Sequence, residues 1–125
     1  MERAAEAPGL PLEGVAVLEL GRGVATSYAA KLLALYGAEV IKVEPPEGDP
    51  LRYRGLFASG PPHRERSLLF CYLNTGKMSV TLNPATSDGE ELLQRLAAMA
   101  DVLLQGPEAE GLDRLRRSNP SLVVV

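Results

Sequence analysis

Few side chains in this sequence carry reactive chemistry, and they are scattered. His63 is the sole histidine and is flanked by Pro61, Pro62 and Arg64, so a catalytic triad or a histidine-rich metal site is not expected and it reads as a loop residue. Cys71 is the sole cysteine, which excludes an intramolecular disulfide framework and a cysteine-based metal cluster. It lies in the apolar stretch SLLFCY and reads as a packed small side chain, not a nucleophile. Asp49, between Gly48 and Pro50, has the context of a turn. Glu90 and Glu91 are accounted for by helix capping and surface charge.

Charge offers more than reactivity does. Residues 51–77 carry Arg52, Arg54, Arg64, Arg66 and Lys77 against Glu65 alone, a net +4 in a chain of net −3 that leaves −7 for the remainder. A cationic segment on an acidic protein suits a polyanionic small ligand such as a nucleotide or coenzyme. A solvated surface run accounts for the same residues. A second candidate is Gly21-Arg22-Gly23, small residues leading into a helix whose free N–H groups favour an anion; a simple tight turn is the alternative.

These groups need a scaffold, and the hydrophobic pattern supplies one. Residues 15–20 (VAVLEL) read as a strand and residues 38–43 (AEVIKV) as another. Between them Ala25, Tyr28, Ala29, Leu32, Leu33 and Tyr36 recur at helical spacing. Thr26 or Ser27 is the expected N-cap, and Gly37 the expected stop, because glycine enters the left-handed region freely. Strand, helix and strand in so short a span make a βαβ unit with parallel strands. Residues 44–66 form a long Pro-, Gly- and Arg-rich loop, and loops of that length in a compact domain are usually functional or mobile.

Residues 67–72 fit either a helical turn or a short strand. Residues 78–82 (MSVTL) are a third strand. Ser87 with Glu90 reads as a capping box for a helix whose inward face is Leu92, Leu93, Leu96, Ala97 and Ala100, with Glu91 and Arg95 paired four residues apart. Residues 102–104 are a fourth strand, Pro107 opens a short helix with an Asp113–Arg117 surface pair, and residues 122–125 are a fifth strand. The fold class is therefore α/β: a Rossmann-like three-layer domain with a mainly parallel five-stranded sheet. In such sheets ligands bind beyond the carboxyl ends of the strands. Here those ends lead into residues 21–27, 44–66, 83–87 and 105–108.

Length and composition set the remaining bounds. The chain has 125 residues, 46% of them hydrophobic and 23% charged, with a pI near 5.2. One domain is the prior at this length, and disorder is not expected at this hydrophobicity. The acidic balance argues against nucleic acid as a partner. No apolar run approaches the roughly 18 residues that cross a membrane, and the first residues lack a signal-peptide core, so a cytoplasmic setting is the default. Residues 1–10 are expected to be a flexible leader and residues 11–125 the folded lobe.

The order of segments carries a resemblance. PLEGVAVLELGRGVATSYAAKLLALYGAEVIKVEPPEGDPLR, LNTGKMSVTLN, ADVLLQG and NPSLVVV together resemble the N-terminal part of the family III CoA-transferases, which include formyl-CoA transferase, carnitine CoA-transferase and alpha-methylacyl-CoA racemase. The resemblance implies a Rossmann-like lobe that binds coenzyme A or acyl-CoA, with no metal. On this sequence the implied binding positions are Val24 and Ala25 at the first helix start, Pro45 after the second strand, Leu82, Asn83, Pro84 and Ala85 after the third, and Gly106, Pro107 and Glu108 after the fourth. Backbone N–H groups of Val24, Ala25 and Ala85 would serve whatever the side chain.

The chain also departs from the family pattern. Thr26-Ser27 replaces a glycine-proline pair, Pro45 stands where formyl-CoA transferases carry an arginine, and Gly106-Pro107-Glu108 replaces an Asn-Phe-Arg run, setting an acid where the ligand has phosphates. The family's catalytic aspartate lies beyond the fifth strand. The expectation is a truncated or split homologue that binds a CoA-type molecule without catalysing transfer alone, as a homodimer or with a complementing subunit. A structural or interaction module that has lost the ligand is the alternative. A dinucleotide-binding domain, with Gly21-x-Gly23 and Glu44 about 20 residues on, is a third reading.

Overall fold

The computed structural model describes residues 9–107 and 111–125. Five strands, β1 (Ala16–Glu19), β2 (Glu39–Glu44), β3 (Met78–Thr81), β4 (Val102–Leu104) and β5 (Val123–Val124), form one sheet in the order β3-β2-β1-β4-β5, and every pairing is parallel. Four α-helices connect them: α1 (Val24–Leu35), α2 (Leu68–Asn74), α3 (Ser87–Ala98) and α4 (Leu112–Ser118). The sheet order reverses at β1, whose two neighbours are β2 and β4.

Strand alternation divides the core in two. Val17, Val40 and Leu104 pack with Ala30 of α1. Leu18 and Leu103, one residue out of phase, pack with Leu93 and Ala97 of α3 and Leu115 of α4. Each fully buried Leu or Val contributes about 1.5–3 kcal/mol relative to exposure, so the short strands are fixed from both faces.

The end of α1 follows expectation. Gly37 has φ 104°, its N–H donates to Ala34 O and that of Ala38 donates to Leu33 O, both at 3.0 Å, a pairing that satisfies the last carbonyls and turns the chain into β2. The start does not. The N-cap is Gly23, with no side-chain cap, and Ser27 lies inside the helix, where it donates to Glu19 Oε1 at 3.0 Å. Residues 67–72 resolve to a helix: Ser67 Oγ accepts from Phe70 N at 3.1 Å and starts α2.

Three other local expectations are corrected. The N-cap of α3 is Thr86, which accepts from Gly89 N at 3.1 Å, so no Ser87–Glu90 box forms. Leu92 is exposed on α3, because the apolar stripe facing the sheet is filled by Leu93 and Ala97. Among the described residues neither Glu91–Arg95 nor Asp113–Arg117 is an ion pair; α3 is tied instead to α4, from Glu90 to Arg114. Helix α4 begins at Leu112, after Gly111 in the left-handed region, five residues later than Pro107.

Of the expected leader, Gly9 and Leu10 are described, and Leu10 O accepts from Glu13 N at 3.0 Å. Among the described residues no helix is long and apolar enough to cross a membrane.

Candidate ligand cleft at the carboxyl ends of the strands

A cleft of about 550 Å³ opens beyond the carboxyl ends of β1, β2 and β3 on the α3–α4 side of the sheet. Leu20 enters it from the end of β1, Val43 and Pro45 from the end of β2, and Leu82, Pro84 and Ala85 from the turn after β3. Leu93 and Leu115 close the apolar floor, and Arg22, Glu90, Gln94 and Arg114 supply the polar part.

The wall after β3 is held by close packing. A Cβ on Gly89 would stand 1.8 Å from Asn83 O, so α3 approaches this turn as only glycine allows. Thr86 Oγ1 donates to the same carbonyl at 2.9 Å. The Ala85 N–H, a proposed anion donor, is already directed to Asn83 Oδ1 at 3.1 Å.

Of the ten positions singled out by sequence, the structure brings Pro45, Leu82, Pro84 and Ala85 together in this cleft. Asn83 shapes the turn behind them. Val24 and Ala25 are exposed on the first turn of α1 and do not line the cleft. Gly106 is buried and Pro107 exposed after β4; Glu108 lies outside the described residues. Sequence reading missed Arg22, Glu90, Gln94 and Arg114. Arg22 sits in the Gly21-Arg22-Gly23 cluster, where attention went to the glycines, and the other three come from helix surfaces.

The basic segment does not form a polyanion cradle. Arg52 Nε and Nη2 donate to Glu44 at 2.6 and 2.8 Å, and its Nη1 to Glu65 at 3.1 Å. Lys77 Nζ donates to Glu19 Oε2 at 2.7 Å, Arg64 pairs with Glu65, and Arg66 donates to Ser59 O. The neutralising Glu19 and Glu44 precede the segment, so a count within residues 51–77 overstates its free charge.

The Lys77–Glu19 and Arg52–Glu44 pairs belong to a buried polar network on the α1–α2 side, whereas Arg64 and Glu65 are exposed. Lys42 Nζ lies 2.8 Å from Glu19 Oε1 and 2.7 Å from Asp49 Oδ2, and all three side chains are almost fully buried. Asp49 is more than a turn residue: Oδ1 accepts from Leu51 N at 2.7 Å within the loop, and the ion pair of Oδ2 with Lys42 of β2 ties that loop to the sheet. Burial lowers the pKa of Lys77, partly offset by its bond and attraction to Glu19.

Glu44 is held at about pKa 2. Burial alone would raise it, but hydrogen bonds from Arg52, Ser79 and the Asp49 amide, with the Arg52 charge, outweigh that. With its carboxylate so occupied, Glu44 has no capacity left for a ribose hydroxyl, which removes the residue on which the dinucleotide reading rested.

His63 is exposed in its loop, its Nδ1 accepting from Glu65 N at 3.2 Å. Cys71 is exposed on α2, contrary to expectation, because α2 packs inward through Leu73. Among the described residues no three His, Cys, Asp or Glu side chains are grouped to hold a metal ion.

Comparison with known proteins decides the lineage of this fold. The sequence model of CoA-transferase family III matches residues 12–125. The chain belongs to that family. Among the relatives of this CoA-transferase family III chain, succinyl-CoA–D-citramalate CoA-transferase of Chloroflexus aurantiacus is 37% identical, over 98% of this chain and 31% of its own length. Formyl-CoA:oxalate CoA-transferase of Streptomyces avermitilis is 39% identical, over 90% of this chain and 28% of its own. The solved structure of a CAIB/BAIF family protein from Brucella suis superposes with a TM-score of 0.82 at 38% identity, covering 94% of this chain and 33% of that one. The family III chain thus spans about three tenths of the length of the curated relatives it matches.

Proposed function

We propose that residues 11–125 are the CoA-binding lobe of a family III CoA-transferase, and that the carboxylate chemistry of acyl transfer comes from polypeptide outside these 125 residues. The observation that supports this reading most is the convergence of Pro45, Leu82, Pro84 and Ala85, implied by the family resemblance, on one cleft at the strand ends where open parallel sheets bind ligands. The apolar floor of Leu20, Val43, Leu82 and Leu93 suits the adenine ring or the pantetheine arm. Arg22 and Arg114 supply cations for phosphate in a cleft where Pro45 replaces the arginine of the formyl-CoA transferases. A reducing, cytoplasmic setting fits a chain with one cysteine.

Titration calorimetry with CoA tests the reading. Saturable heat at micromolar to millimolar ligand, weakened by added salt, supports it. No heat at millimolar CoA, with the fold verified by circular dichroism, overturns it.

The second reading, an interaction module that has lost the ligand, is favoured by one observation. Arg114 is engaged by Glu90 inside the same cleft, so any phosphate must compete with a carboxylate for it. The calorimetric experiment separates the two readings.

A further inference from the structure

The basic residues of this chain are divided by place. Of the 13, ten are arginine and three are lysine. Every exposed Lys or Arg among the described residues is an arginine, whereas Lys31, Lys42 and Lys77 are all withdrawn from solvent. That inverts the usual distribution, in which a lysine is almost never buried unless it is paired.

Each amine is also occupied. Lys77 Nζ donates to Glu19 Oε2 at 2.7 Å, Ser27 O at 2.8 Å and Asn74 Oδ1 at 2.9 Å, which uses all three of its N–H bonds. Lys42 Nζ lies 2.8 Å from Glu19 Oε1, 2.7 Å from Asp49 Oδ2 and 3.3 Å from Ser27 Oγ. Both side chains are 2% exposed. Lys31 Nζ stands 3.3 Å from the centroid of the Tyr72 ring, whose face attracts and covers the ammonium.

The division matters beside an acyl thioester. A free amine attacks the thioester carbonyl: a C–N bond forms, the C–S bond breaks, the thiol leaves and the amine's proton passes to solvent. A guanidinium stays protonated and presents no such nucleophile. Burial lowers the pKa of Lys77, so more of it is free amine, and only its enclosure keeps it from reacting. Acylation there would also delete a charge that Glu19 needs.

We propose that the fold withholds its lysines from acyl transfer, leaving a basic surface of arginine that is inert to an acyl-CoA ligand. The identity of the acyl donor rests on the reading of the cleft as a CoA site. The protection itself belongs to the fold and is measured with a reagent that contains no CoA.

The test treats the 125-residue chain separately with acetyl-CoA and with the N-hydroxysuccinimide ester of acetate, folded and in urea. Arg54→Lys, at an exposed position, supplies a reference amine on the surface. Hydroxylamine then clears thioesters formed at the exposed Cys71, and peptide mass spectrometry reads the amide at each lysine. Acetylation of Lys31, Lys42 and Lys77 in the folded chain is expected to be roughly a hundredfold slower than at the introduced amine, because it waits on local opening. All three should react in urea. Native lysines that react as fast as the introduced amine with either reagent overturn the proposal, as do equal rates in the folded and unfolded chain. Absence of CoA binding in calorimetry would overturn the reading of the cleft and leave the result with the ester unchanged, so the two failures are told apart.

Discussion

Lys77 Nζ donates to Glu19 Oε2 at 2.7 Å across 58 positions of sequence. That bond joins the residue before β3 to the end of β1, two strands apart in the sheet, and Lys42 from the strand between them binds the other oxygen of the same carboxylate at 2.8 Å. One buried glutamate thus fixes three parallel strands relative to one another at the edge that leads to the ligand loops.

Removing that carboxylate leaves two ammonium groups buried with too few acceptors. Glu19→Ala is expected to destabilise the fold by about 3–5 kcal/mol, the cost of breaking a buried pair from one side. Chemical denaturation measures it, and a loss below about 1 kcal/mol would show that water reaches the network.

The depressed pKa of Glu44 gives a pH signature. Its folded value of about 2 lies below the ordinary 4.5, so its stabilising contribution is complete above pH 4.5 and is lost as pH falls through the folded value. Over that window the unfolded state binds one more proton at this site, which steepens the decline in stability by up to about 1.4 kcal/mol per pH unit. Glu44→Gln should flatten the dependence between pH 4.5 and 2; denaturant midpoints across that range report it, and parallel profiles would refute the assignment.

Gly89→Ala should be among the most damaging single changes on α3. The new methyl would meet the Asn83 carbonyl at 1.8 Å, a backbone atom that cannot swing aside as a flexible side chain could. Overpacking of this kind costs about 1–3 kcal/mol. Because Asn83 carries the Leu82–Ala85 wall, amide chemical shifts of residues 82–86 should move as well; a melting temperature equal to wild type would count against the close approach.

Arg114→Ala tests the cationic part of the cleft. A hydrogen bond to a charged group contributes about 1.5–3 kcal/mol, so CoA affinity is expected to fall at least tenfold and its salt dependence to weaken. Equal affinity in calorimetry would mean that the phosphates lie elsewhere.

The layers of this fold were legible in sequence because each rests on local pattern. Apolar runs mark β1 and β2, and Gly37 stops α1 where expected. Adjacent hydroxyls were harder: Thr86 and Ser87 both suit an N-cap, and the approach of α3 to Asn83 selects Thr86. The polar network left no local trace, since Glu19, Lys42, Asp49 and Lys77 are brought together only by the sheet order. The same blindness made residues 51–77 look like an open cationic surface. The cleft was legible where it draws on loops after strands, as at Pro45 and Pro84, and illegible where it draws on Gln94 or Arg114, which on sequence alone are ordinary outward residues of amphipathic helices.

The place of β1 between β2 and β4 also has a consequence for synthesis. The β1–α1–β2–α2–β3 half emerges from the ribosome first and can pair internally, while the edge of β1 that receives β4 must wait for residues 102–104. Throughout that interval Val17 and Leu18 belong to a bare, apolar strand edge of the kind that recruits other chains. Parallel pairing over so long a separation is slow, and partly made chains with open edges are prone to aggregate. Yield during expression should therefore respond to translation speed between α3 and β4 more than to speed anywhere in the first half.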